Sequence, residues 1–244
     1  MSFTSRRLMM FKISENIFLG ELVDAHPMAS KVLLKHGLDF CCGGQRSLLD
    51  ACKESKVDID LILQEFKATY ITPVPQLWSS VSNEVLIEHI LDNYHASLYE
   101  ALPHLEGLLN RVVKMHLDKD PECLGNLKDA FLCLSEDLLI HMAKEEQILF
   151  PWILGKQDPG PAGPVQCLRI EHERASQALK QMATLTNGYK APDQACMTWR
   201  SLYKGLKNLD YELRMHIHLE NNILFPRFME EKRFTPYTCL HTGD

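Results

Sequence analysis

One stretch occurs twice, and it limits what this chain can fold into more than anything else in the sequence. His141-Met-Ala-Lys-Glu145-Glu-Gln-Ile-Leu-Phe-Pro151 returns seventy-five residues later as His216-Ile-His-Leu-Glu220-Asn-Asn-Ile-Leu-Phe-Pro226. Both copies read H-x-x-x-E-x-x-I-L-F-P. Residues four apart in a helix lie on one face, one turn above the other. Each copy therefore presents an imidazole and a carboxylate in one direction. Two such helices facing each other would gather two nitrogens and two oxygens around a common centre, a metal site inside a helix bundle.

The sequence also supplies the helices. Four long segments carry apolar residues in alternating steps of three and four, the seam of a packed helix. The first runs Leu91, His95, Leu98, Leu102, Leu105, Leu109 and Val112, with Pro103 inside it. The second runs Leu127, Phe131, Leu134, Leu138, His141, Glu145, Ile148 and Trp152. The third runs Val165, Leu168, His172, Ala175, Leu179 and Met182, and Asn187-Gly188 stops it. The fourth starts at Pro192 or Asp193 and runs Trp199, Leu202, Leu206, Leu209, Leu213, His216, Glu220 and Ile223. A histidine interrupts every seam, and a glutamate interrupts two. No alternating run bounded by turn dipeptides argues for strands. The expected fold is all-α: an antiparallel four-helix bundle with a small helical domain before it.

A lone histidine on an apolar stripe is ordinarily a satisfied core residue. Four seams with one each, two of them paired to a carboxylate, are different. Burying two unpaired carboxylates is costly, and a multivalent cation is the simplest compensation. Six donors, His95, His141, Glu145, His172, His216 and Glu220, are too many for one tetrahedral zinc. They suit two ions with the carboxylates free to bridge, and mixed imidazole and carboxylate ligation suits iron or manganese. Positions would stay open for oxide, water, dioxygen or nitric oxide. Asp137, one turn before His141, and Glu171, adjoining His172, are candidates to orient a ligand imidazole or relay protons. Glu146 and Glu173 are read as outer or surface groups, and His218 points elsewhere on its helix.

The domain limits follow from composition. Residues 71–83, ITPVPQLWSSVSN, hold two prolines and three serines and form the expected linker. Residues 1–15 are an extension, 16–70 a set of short helices, 84–230 the bundle and 231–244 a tail. Asp58 and Ser82 are good N-caps, and Ser47 or its neighbours begin another short helix. The formal charge of -6 argues against a nucleic-acid surface. No apolar run approaches the length of a membrane span. The two arginines in SFTSRRLMMFK precede no signal-length apolar region. Eight cysteines without framework spacing fit a reducing compartment, so a cytoplasmic protein is expected.

Cys41 and Cys42 precede Gly43-Gly44 and a short helix. Amides at a helix start favour thiolates, and adjacent cysteines close a strained ring if oxidised together. The pair reads either as two thiolates that handle iron or nitric oxide, or as a turn in which two small residues fit. The other six cysteines are read as packing or surface residues.

The order H…H-x-x-x-E…H…H-x-x-x-E resembles the hemerythrin-like di-iron bundles. The stretch Leu38-Asp-Phe-Cys41-Cys42-Gly-Gly44, preceded by Leu19-Gly-Glu-Leu22 and followed by the Pro-rich linker, resembles one branch of them. That branch is the iron–sulfur cluster repair (RIC) family, of the YtfE and ScdA type. The resemblance implies a non-haem centre of two iron ions, oxo- and carboxylate-bridged, held by His95, His141, Glu145, His172, His216 and Glu220. It implies help in restoring iron–sulfur clusters damaged by oxidative or nitrosative stress, through iron or nitric-oxide handling. The partners would be proteins with damaged clusters, with nitric oxide or dioxygen as small ligands and a homodimer as one open assembly. Respiratory hemerythrins place a second histidine four residues after the third-helix one, where this chain has Ser176. They also use a longer His-to-Asp step where this chain has His216-x-x-x-Glu220. Both departures favour a more open, labile site over an oxygen carrier. A nitric-oxide or oxygen sensor, and a nitric-oxide reductase, stay open as alternatives.

Overall fold

The computed structural model describes residues 13–69, 74, 76–155 and 163–229. Most of the expected N-terminal extension, part of the linker and the C-terminal tail lie outside them. The described residues form helices and turns, with an isolated bridge between Phe18 and Ser47. Among them no helix is long and apolar enough to cross a membrane. Contacts divide the chain into two compact units, residues 1–77 and 78–244.

The first unit has four short helices, α1 (Leu19–Ala25), α2 (Ala29–Lys35), α3 (Leu48–Glu54) and α4 (Ile59–Ala68). Their starts are set by side-chain caps. Ser47 Oγ accepts from the Asp50 amide at 3.1 Å, and Asp58 Oδ1 from the Asp60 amide at 3.0 Å. Gly37, at φ 69°, takes the left-handed conformation that closes α2. Leu19, Leu22, Leu33, Leu38, Phe40, Leu48 and Ile62 are buried as its core.

The second unit is the bundle. Its first arm is α5 (Asn83–Ile90), a π-helical turn (Leu91–His95) and α6 (Ala96–His116). Ser82 Oγ caps α5 by accepting from the Val85 amide at 3.4 Å. The second arm is α7 (Pro121–Lys144), a π-helical turn (Glu145–Leu149) and α8 (Phe150–Ile153). Asp120 caps α7, with Pro121 at its first position, where a missing N–H costs nothing. The third arm is α9 (Gly163–Leu185). The fourth is α10 (Met197–Leu219), a π-helical turn (Glu220–Leu224) and α11 (Pro226–Met229). The helix α6 packs on α7 and α10, and α9 packs on the same two, closing a ring of four.

Three expectations need correction. The helix α10 starts at Met197, not at Pro192 or Asp193. Residues 193–195 turn instead, and the Asp193 and Ala195 carbonyls accept from Arg200 at 2.6 and 3.0 Å. The seams are buried almost as read, but Ile148 is 52% exposed. A π turn adds a residue to the turn, so Leu149 and Phe150 rotate inward in its place. Cys167 departs from the packing or surface role expected of it: it is disulfide-bonded.

Phe131, in the middle of α7, has no exposed surface. Truncating it leaves a cavity between helices, at a cost of about 3–5 kcal/mol. Phe131→Ala should therefore lower the melting temperature by at least about 6 °C. A smaller shift in a calorimetric scan would show that Phe131 does not support the bundle core.

Candidate metal centre

Near one end of the bundle the seams bring together six side chains, each 4% exposed or less: His95, His141, Glu145, His172, His216 and Glu220. They fall into two groups that share both carboxylates. His95 and His216 approach through their Nε2 atoms at 3.2 Å, and His141 and His172 through theirs at 2.9 Å. Glu145 sends Oε2 towards His95, at 3.4 Å, and Oε1 towards His141, at 3.3 Å. Glu220 sends Oε2 towards His172, at 3.2 Å, and Oε1 towards His216, at 3.1 Å. Each carboxylate thus turns one oxygen to each histidine pair. Donor atoms of each four-residue group lie within 4.8 Å of one another.

The repeated motif explains more than its His and Glu. Each glutamate opens a π turn, in which Phe225 N–H donates to Glu220 O at 2.8 Å and Phe150 N–H donates to Glu145 O. The proline that follows lacks an N–H and crowds the carbonyl four residues back, so an α turn is disfavoured there. The widened turn aims each phenylalanine at a histidine of the preceding arm. Phe225 stacks on His172, with centroids 5.7 Å apart, and Phe150 lies 5.7 Å from His95. The I-L-F-P half of the motif thus shields the imidazoles that its own glutamate faces.

The far side of the rings is held as well. His141 Nδ1 pairs with Glu171 Oε2 at 2.8 Å, and Lys144 donates to the other Glu171 oxygen at 2.5 Å. His95 Nδ1 pairs with Glu146 Oε1 at 2.8 Å, and the Tyr99 hydroxyl donates to the same oxygen at 3.2 Å. His172 Nδ1 donates to Asn221 Oδ1 at 2.9 Å, while His216 Nδ1 is buried without a hydrogen-bond partner. Glu171 therefore serves His141 across the bundle rather than its neighbour His172. Asp137 is exposed, and no hydrogen bond or ion pair joins it to His141. Glu146, read as an outer or surface group, backs His95, whereas Asn221 was not singled out in the sequence. Both sit one residue after the motif glutamates, a signal that becomes legible only once the π turn is known. His218 faces away to Asn222 at 3.0 Å, and its burial pushes its pKa down to about 3.

Whether these residues fit a metal is tested by their unused polarity. Burial opposes charge on His95, His141, Glu145 and Glu220. Even so, the Glu145 carboxylate, with Glu171, raises the His141 pKa to about 10, and Glu145, Glu220 and Glu146 raise that of His95. Burial and the other carboxylate push Glu145 up, but His141 and His95 outweigh them and hold it low; His216 and His172 do the same for Glu220. The cluster thus favours positive charge at its centre. Yet all four glutamate oxygens lack a directed hydrogen bond, although imidazole nitrogens stand close by. Groups that face a common point rather than each other are arranged as ligands. Two donors about 2.1 Å from one ion and at right angles lie about 3.0 Å apart, close to the Nε2 separations seen. The donor set fits metal cations.

Cys41 and Cys42 belong to the first unit. Their Sγ atoms are 4.0 Å apart, with Cys41 buried and Cys42 half-buried. Both amides donate to Asp39 Oδ1 at 3.0 Å.

The partners on Nδ1 fix the ring orientation and increase basicity, so they should tune metal affinity. Glu171→Gln and Asn221→Ala should each weaken metal binding by about 10- to 100-fold, and Asp137→Asn should not. Competition with a chromophoric chelator measures this; equal effects of Glu171→Gln and Asp137→Asn would contradict the assignment.

Comparison with known proteins places these features. Residues 86–228 match the hemerythrin HHE cation-binding domain, and residues 15–70 match the ScdA_N domain of unknown function (DUF542). The iron-sulfur cluster repair protein YtfE of Cronobacter sakazakii is 41% identical over 209 residues, covering 86% of this chain and 94% of the relative. The protein of the same name from Escherichia coli O81 is 38% identical over the same shares. That of Dickeya chrysanthemi is 39% identical over 86% of this chain and 95% of its own. With such identity sustained over nearly the whole length of these relatives, the chain belongs to the YtfE-type iron–sulfur cluster repair protein family.

Proposed function

We propose that this protein helps restore iron–sulfur clusters damaged by oxidative or nitrosative stress, and that it does so as a non-haem di-iron protein. The observation that carries the proposal is 41% identity, over 94% of its length, to a relative named for iron–sulfur cluster repair. In this reading His95 and His216 would hold one iron, and His141 and His172 the other. Glu145 and Glu220 would be shared by both, a role supported by their two oxygens facing different histidine pairs. Two iron ions so held would supply redox chemistry and open coordination positions for a small ligand such as nitric oxide or dioxygen.

The chain's own residues then have definable tasks. Glu146, Glu171 and Asn221 keep the proton of their imidazoles on Nδ1, so that Nε2 stays a donor to metal. Phe150 and Phe225 keep water off the ligands. Ser176, one turn after His172, offers no further imidazole; it accepts from Arg214 at 3.0 Å. That leaves the ligand set short of saturation and suits a centre that exchanges iron or binds nitric oxide. Residues 16–70 would carry the thiols Cys41 and Cys42, residues 71–83 would link, and residues 84–230 would hold the metal. The partners in this reading are proteins with damaged clusters, met in the cytoplasm, with a homodimer as one possible assembly.

Metal analysis with Mössbauer spectroscopy should find two coupled iron ions per chain after anaerobic loading. Glu145→Ala or Glu220→Ala should release or uncouple both, whereas His216→Ala should lose mainly one. One zinc per chain and no bound iron would overturn the di-iron reading. Reactivation of a nitric-oxide-damaged iron–sulfur dehydratase tests the repair role; the loaded protein should restore it and the Glu220→Ala variant should not.

Metal removal gives an independent check. Chelation leaves two buried carboxylates without their compensating cations, and a ligand bound only by the folded state stabilises it by mass action. The melting temperature should fall on chelation and recover on reloading; an unchanged value would place the metal elsewhere.

A further inference from the structure

The first unit holds a cluster that the bundle chemistry does not use. Asp39, Cys41 and Cys42 offer a carboxylate oxygen and two sulfurs, all within 4.8 Å of one another. Several features hold them there. Asp39 Oδ1 accepts from the Cys41 and Cys42 amides, both at 3.0 Å, and the Cys41 thiol lies 3.1 Å from the same oxygen. This fixes the carboxylate to the backbone of the two cysteines. Gly43 lets the loop close. A Cβ there would meet Arg46 Nη2 at 2.2 Å and the Asp39 carbonyl at 2.7 Å. Arg46 spans the loop, with Nη2 3.4 Å from Asp39 O and Nε 3.5 Å from Gly43 O, and its Nη1 is anchored to Glu54 at 2.6 Å.

We infer that Asp39, Cys41 and Cys42 form a second metal site, for one thiophilic divalent cation such as ferrous iron, built within the first unit. Two thiolates about 2.3 Å from a tetrahedral ion lie about 3.8 Å apart. The observed Sγ separation is 4.0 Å, with the two cysteines free of a disulfide. Soft thiolates select such cations over magnesium or calcium. Binding displaces the two thiol protons, so a divalent ion with two thiolates and one carboxylate leaves one net negative charge. The Arg46 guanidinium lies beside the loop on the Asp39 and Gly43 carbonyls, with its charge shared with Glu54. Among the described residues the cluster offers three donors, so a tetrahedral ion held by them would take one further ligand. The site deepens the proposed iron-handling role of the thiols, but its existence does not depend on iron in the bundle.

Cobalt(II) added to the reduced, metal-free full chain tests this. Thiolate ligation gives an intense near-ultraviolet charge-transfer band that imidazole and carboxylate ligands do not give. The band should saturate at one equivalent of thiolate-bound cobalt per chain, with release of protons. Cys42→Ser, at a partly exposed position, should abolish it without loss of fold, as read from the melting curve. Asp39→Asn keeps the amide-accepting oxygen but loses the charge, and should weaken cobalt binding at least tenfold. The band should persist in a His141→Ala/Glu220→Ala variant, which separates this site from the bundle centre. It should also persist in Cys196→Ser, which removes a thiol lying 3.3 Å from the His116 imidazole. Absence of the band in the unaltered chain, its survival in Cys42→Ser, or equal affinity in Asp39→Asn would each overturn the inference. If it is overturned while the bundle still binds two irons, the di-iron reading stands alone.

Discussion

Two glutamates with no exposed surface and no directed hydrogen bond, Glu145 and Glu220, are the constraint on which the bundle turns. A buried carboxylate without compensation is among the most expensive things a helix core can hold. Here both sit between four imidazoles that crowd to 3.4 Å or less. Protonated imidazoles relieve part of the cost, as the raised pKa of His141 records, but they leave the oxygens poorly directed. Cations at the two points where the donors converge would satisfy oxygens and nitrogens together. The apolar seam holds the helices at the spacing at which this works. The polar centre in turn defines how the seams must align, since a shift of one residue would bury a carboxylate against leucine.

The repeat gives the centre an approximate two-fold character. Each copy provides one histidine, to a different pair, one carboxylate that faces both pairs, and one phenylalanine to the preceding arm. The symmetry breaks at the outer edge. His95 and His141 are backed by carboxylates, His172 by an amide, and His216 Nδ1 by no hydrogen bond, although Tyr94 stacks on its ring at 5.4 Å. Carboxylate partners donate more electron density to a ligating imidazole than an amide does. The pair His141 and His172 has both rings supported, whereas His95 and His216 have one. The two donor groups made from the same motif are therefore not chemically equivalent.

Much of this was legible in the sequence because the seam carries two kinds of information at once. Leucines at steps of three and four give the helix faces, and the histidines and glutamates that interrupt them must lie on the same faces. The six donors needed no more than that. What periodicity could not give was local departure from it. A π turn shifts the register by one residue, which exposed Ile148 and buried Leu149 and Phe150. The prolines after each I-L-F were the available signal, since a proline disturbs the turn before it. The partners on Nδ1 depended on geometry between helices. Sequence adjacency suggested that Glu171 acts on His172, and one helical turn suggested that Asp137 acts on His141. The crossing of α7 and α9 instead brings Glu171 to His141 and leaves Asp137 in solvent.

The two sides of the rings are covered unequally. Phe150 and Phe225 cover two of the rings, and the ligand atoms themselves are buried. The Nδ1 side is different. Glu171 keeps a quarter of its side chain exposed and Glu146 about a third, each one hydrogen bond from a buried imidazole. Lys144 lowers the first carboxylate, whose pKa is drawn down to about 2 by His141 and Lys144 against the effect of burial. Such a group stays ionised over the physiological range, so it holds the Nδ1 proton firmly rather than passing it on. A cation held at Nε2 would leave only if that nitrogen were freed, and a turn of the ring would free it. A ring fixed by an ionised carboxylate resists that turn, whereas His216, with no Nδ1 hydrogen bond, has less to break. Of the four rings, His216 is therefore the one held by the fewest hydrogen bonds on its Nδ1 side.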